Sequence, residues 1–93
     1  MPTFLEIVLR ADESVFDGRD EVEDPLEEAL ARAGVGQVTG GGSGLGVSNI
    51  DVEVDDLAQG LAVIRRVLRA LKVGPSTIIR QYQPTRVAYP VYE

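Results

Sequence analysis

Residues 3–10 alternate: Leu5, Ile7 and Leu9 share one face, and Phe4, Glu6, Val8 and Arg10 share the other. A period of two with β-branched members predicts a strand buried on one side and partly covered on the other. Residues 11–23 are acidic, keep no steady period and read as a loop with room for a turn of helix. Asp24, Pro25, Leu26 and Glu27 then form a helix start, with an acceptor at the N-cap, proline at the first helical position and a glutamate in a capping-box place. Leu26, Ala29, Leu30 and Ala33 recur at helical spacing, and Gly34 supplies a left-handed stop.

A short strand is expected over 36–39 and a second over 49–55, with Ile50, Val52 and Val54 inward and Asp51, Glu53 and Asp55 outward. Between them lie Gly40, Gly41, Gly42, Ser43, Gly44, Leu45 and Gly46. Five glycines in seven residues predict a long, mobile hairpin loop, because glycine is costly to order. Asp55 or Asp56 caps a second helix, whose stripe is Leu57, Leu61, Ile64, Leu68 and Leu71, widened by Ala58, Ala62, Val63 and Val67. Arg69 falls on the polar flank of this helix, and Gly74-Pro75 is its expected end. Residues 76–82 alternate again as a last strand. Pro84 and Pro90 bracket residues 85–89, a tail that reads as an extra edge strand or an extended arm.

The order strand, helix, strand, strand, helix, strand predicts an α+β, ferredoxin-like βαββαβ two-layer sandwich, an antiparallel sheet with two helices on one face. Residues 1–83 would form the single domain and 84–93 its tail. With a long loop between the second and third strands, this element order is similar to that of small regulatory proteins of the P-II and ACT sort. The similarity is one of topology, and no binding residues transfer with it.

Composition narrows the chemistry. A chain of 93 residues, 44% hydrophobic and 26% charged, is one globular domain near the lower limit for an unstapled core. It has no cysteine and no histidine, which removes disulfides, thiolate metal sites, thiol nucleophiles and the commonest general base. No catalytic constellation is left, so a non-enzyme is expected, with no cofactor and no metal. The start of the chain lacks the pattern of a signal peptide, and its apolar runs are too short to span a bilayer. A cytoplasmic protein without a membrane partner is therefore expected.

A net charge of −6 argues against nucleic acid as a partner. Residues 1–28 hold ten acids against Arg10 and Arg19, whereas residues 57–92 hold six cations and no acid. The two ends attract each other, within one chain or between two.

Four groups of residues are candidates for function. Gly40, Gly41, Gly42, Ser43 and Gly44 form the candidate binding segment, since amides of glycine-rich turns can make an anion nest. It fits neither a dinucleotide fingerprint nor a P-loop, and a flexible solvent loop is the plainer reading. Asp51, Glu53 and Asp55 project from one strand face about 7 Å apart at neighbouring positions. A cation site there would need further ligands from Ser43, Ser48 or Asn49, and the plainer reading is a strand surface paired with Arg10 or Arg80. Arg65, Arg66, Arg69 and Lys72 are a phosphate or acidic-partner patch, or simply a solvated helix face. The run from Asp12 to Glu28, with nine carboxylates, could mimic a polyanion or be loop charge.

The leading expectation is a non-catalytic protein-interaction module, acting as a homodimer, whose glycine loop and acidic segment engage a protein partner. Helices cover only one side of the expected sheet, which leaves Phe4, Val8 and one of Ile78 or Ile79 on the other. Two alternatives stand beside it. One is a small-molecule or anion-binding regulatory domain using the segment Gly40 to Gly46. The other is an acidic inhibitor, of immunity or antitoxin type, of a basic protein.

Overall fold

A computed structural model describes residues 2–10, 20–44, 46–83 and 85–92. Its elements are β1 (Thr3–Arg10), α1 (Asp20–Ala33), β2 (Gly36–Gly44), β3 (Val47–Val54), α2 (Leu57–Ala70), β4 (Ile78–Gln81) and β5 (Val87–Pro90). They make an α+β domain with one five-stranded sheet in the order β2-β3-β1-β4-β5, every neighbouring pair antiparallel. The tail is thus an edge strand, and with it the sheet departs from a simple four-stranded arrangement. The first part of the acidic run, residues 12–19, lies outside the described residues, as do Leu45 and Pro84.

The alternation of β1 is realised residue by residue. Leu5, Ile7 and Leu9 are buried with Ile50, Val52, Val54 and Ile79 on one face of the sheet. Val22, Leu26 and Leu30 of α1 and Leu61, Ile64 and Leu68 of α2 join the same continuous core, so both helices cover that face. Among the described residues, no helix is long and apolar enough to cross a membrane.

Helix α1 begins four residues before the Asp24 cap expected from the sequence, which places Pro25 inside it. The added turn carries Val22 into the core at 1% exposure, one turn before Leu26. Burying a valine is worth about 1.5–3 kcal/mol. Pro25 gives up only one backbone bond, near the helix start. Burial outweighs the local signal.

Both helices end in the same way. Gly34, at φ 68°, donates its N–H to Ala31 O at 3.1 Å, and Val35 donates to Leu30 O at 3.1 Å. This Schellman arrangement satisfies two carbonyls and buries Val35. In α2 the equivalent bonds are Lys72 N–H to Arg69 O at 3.1 Å and Val73 N–H to Leu68 O at 3.2 Å. The helix therefore stops before Gly74-Pro75, and the left-handed position, φ 58°, is held by a lysine. Left-handed backbone costs a residue with a Cβ about 1–2 kcal/mol. Lys72→Gly is accordingly expected to stabilise the protein by about 1 kcal/mol, seen as a raised urea midpoint at unchanged slope. At the other end of α2, Asp56 is the N-cap, accepting from Gln59 N–H at 2.8 Å.

The cations of α2 hold the tail. Arg65 Nε donates to Pro90 O at 3.0 Å and Arg69 Nε to Val91 O at 2.7 Å. Tyr92 Oη donates to Val73 O at 2.6 Å, and Val91 is 1% exposed in the core. Arg69 is therefore a clamp and not merely a solvated flank. Arg69→Ala is expected to cost about 1 kcal/mol through that charged hydrogen bond. Alanine at Arg66, which is exposed, should cost less than about 0.5 kcal/mol. Parallel chemical denaturation of the two variants checks the difference.

Candidate functional site

The glycine segment is a strand. Gly40, Gly41, Gly42, Ser43 and Gly44 pair in register with Asp51, Ile50, Asn49, Ser48 and Val47, after a register shift between Val38 and Gly40. The pairing runs to Gly44 and Val47, and Gly46 takes φ 78°, the left-handed backbone of a tight hairpin. In place of the long loop expected from the sequence, residues 40–44 pair as strand. The reason lies in the partner strand, because the strong alternation of β3 supplies a template on which a weak strand former can pair. The glycines form an edge with little cover: a Cβ at Gly40 would meet only the Asp51 carboxylate, at 3.7 Å, and one at Gly42 only the Asn49 amide oxygen, at 3.4 Å.

The carboxylates of β3 do project together. Asp51 and Glu53 lie half-buried on the sheet face away from the helices, and Asp55 is exposed beyond the strand end. Their cross-strand neighbours are not the arginines expected. Asp51 stands opposite Glu6, Glu53 opposite Phe4, and Arg10 opposite Val47. Arg80 stands on the other flank of Glu6. Like charges directly opposite one another on a sheet are destabilising, so the Glu6–Asp51 pair breaks a local rule. Asn49 Nδ2 donates to Asp51 Oδ1 at 3.2 Å, and Tyr82 Oη donates to Glu6 Oε1 at 2.6 Å. Among the described residues, no group of three or more potential ligands is placed to hold a metal ion.

This face carries exposed apolar side chains beside a groove. Phe4 is 61% exposed there, Val8 and Ile78 face each other across β1 and β4 half-buried, and Ile79 is the core member of its pair. Beside Phe4 a groove of about 890 Å³ is lined by Glu6, Thr39, Asp51, Tyr82 and Gln83. The Arg86 guanidinium lies 5.5 Å from the centre of the Tyr82 ring, in cation–π range. In the described part of the tail, Arg86 lies at the Tyr82 rim of this face, β5 extends the sheet beside β4, and Val91 then enters the core on the helix side.

Charge divides the face across its central strand. Asp51 and Glu53 lie on β3, on one side of β1, and Arg80 lies on β4, on the other. The alternation of β1 identifies Phe4, Glu6 and Val8 as outward residues, but nothing in the sequence reports which residues oppose them. Sequence reasoning therefore missed Tyr82, Thr39 and the Glu6–Asp51 pair as one site. Comparisons with protein families, with curated proteins and with solved structures find no match to this chain.

Proposed function

We propose that the chain is a non-catalytic protein-interaction module that acts as a homodimer through the uncovered face of its sheet. The frame is read as ferredoxin-like, βαββαβ, with β5 added beside β4. The observation that supports the reading is the exposure of Phe4, at 61%, on a sheet face that, among the described residues, the helices and β5 leave uncovered. Phe4, Val8 and Ile78 give that face an apolar line, and full burial of each large side chain contributes about 1.5–3 kcal/mol. The polar groups beside that line, Glu6, Asp51 and the Tyr82 hydroxyl, are suited to recognition of a partner surface.

Sedimentation equilibrium tests the proposal. A dimer at micromolar concentration is expected, and Val8→Asp is expected to dissociate it while leaving far-UV helicity intact. An aspartate at that position meets water in the monomer but is buried without a partner in the dimer. Added salt should weaken an association driven by apolar contact only a few-fold. A steep loss with salt would point instead to the acidic first segment gripping α2 of another chain. A monomer at every concentration and salt would overturn the proposal.

A further inference from the structure

Resting on that dimer, we infer that its two-fold axis runs along β1, so that Asp51 of each copy pairs with Arg80 of the other. The argument begins with one row of the sheet. Glu6 is in register with Asp51 on one side and with Arg80 on the other, so the order across the face is acid, acid, base, centred on β1. Two sheets packed face to face lie about 10 Å apart. A two-fold rotation about the β1 direction keeps each row at its own level and exchanges left for right. It therefore sets β3 of one copy over β4 of the other, and Asp51 over Arg80, twice. A two-fold axis across the strands would instead set β3 over β3, acid column on acid column.

Side-chain chemistry fits the first arrangement. Arg80 and Asp51 are both half-buried on this face; Asp51 stands in its row between Glu6 and Gly40, and Arg80 stands beside Glu6, whose carboxylate accepts from the Tyr82 hydroxyl. An arginine and an aspartate reaching toward each other span the gap between packed sheets, and a guanidinium offers paired donors to a carboxylate. The incoming cation also relieves the Glu6–Asp51 repulsion within each copy. Along the axis itself Phe4 meets Phe4, Val8 meets Val8 and, between them, Glu6 meets Glu6, whose two carboxylates are offset by the two guanidiniums that stand in register beside them. Like-charge contact in the other orientation would select against it.

Charge reversal in the full-length chain, read by sedimentation equilibrium, tests the orientation. Asp51→Arg and Arg80→Asp are each expected to weaken the dimer at least tenfold. The double variant is expected to return to within about threefold of the original affinity, because the pairs re-form with exchanged signs. Circular dichroism checks the fold of each variant. Should a reversal fail to fold, the neutral pair Asp51→Asn and Arg80→Gln serves: each should weaken the dimer, and the two together no more than either alone. A double reversal no tighter than its single variants would overturn the inference. So would single reversals that leave the dimer intact while Val8→Asp dissolves it, a result that would keep the dimer through this face. Absence of any dimer in the unmodified chain would remove the proposed function and the inference together.

Discussion

Leu68→Ala should lower the free energy of unfolding by about 2–5 kcal/mol. Leu68 lies toward the end of the stripe that α2 turns to the sheet and is fully buried at 0% exposure. Truncation removes three carbons from a continuous core that includes Ile7, Leu26, Ile50 and Ile64. The helix backbone around it is held at its end by the bonds from Lys72 and Val73, so the cavity has little freedom to close. A domain of this size has a total stability of only about 5–15 kcal/mol. The variant should therefore unfold at a much lower urea concentration, with unchanged slope. A midpoint close to that of Arg66→Ala would mean that α2 is rotated from this assignment.

The second large effect is expected at Gly36, where alanine should cost about 1–3 kcal/mol. A Cβ there would run into the backbone oxygen of Glu53 and lie 3.1 Å from Val54 Cα and Cγ1. The obstacle is backbone, which cannot rotate aside, so β2 would have to part from β3 at the end of their ladder. Gly60 presses on the same residue from the opposite element, its Cβ position lying 2.6 Å from Val54 Cγ1. There the obstacle includes Val54 Cβ, 2.7 Å away and fixed to its backbone, but alanine recovers up to about 1 kcal/mol of helix propensity, which offsets part of the clash. The loss at Gly60 should accordingly be smaller. Gly44→Ala, which meets nothing within 4 Å, is the control and should change stability little. Thermal or urea melts of the three variants give the order, and equal midpoints would mean that the approach of β2 and α2 to Val54 is looser than described.

The segments legible in the sequence are those whose period is enforced by burial. Leu5, Ile7 and Leu9, then Ile50, Val52 and Val54, then Leu61, Ile64 and Leu68 all face the core as their spacing predicts. Local signals misled where tertiary burial outweighed them. Pro25 reads as a first helical residue, yet the core claims Val22 and the helix extends past the proline. The glycines from 40 to 44 read as a loop, yet a strand template and a tight turn at Gly46 order them as an edge. Arg65 and Arg69 read as a patch because their acceptors, the carbonyls of Pro90 and Val91, lie more than twenty residues away.

The uncovered face was legible as a face and not as a site. Alternation identifies Phe4, Glu6 and Val8 as outward residues, but the row of Asp51, Glu6 and Arg80 exists only through the register of three strands. Register is a non-local property, fixed by which hydrophobic sets must share the core. The same holds for Tyr82, whose hydroxyl reaches Glu6 across 76 positions of sequence.

The chain contains no tryptophan, so Phe4→Trp introduces a single fluorescent reporter at the centre of the proposed interface. Its emission should match that of a water-exposed indole at nanomolar concentration, as the 61% exposure of Phe4 in the single chain requires. As the concentration rises through the micromolar range, the emission should move to shorter wavelength, following the dimer seen by sedimentation, and Val8→Asp in the same background should abolish the shift. An emission that stays at the exposed position at concentrations where the protein is dimeric would place the interface elsewhere and contradict the account.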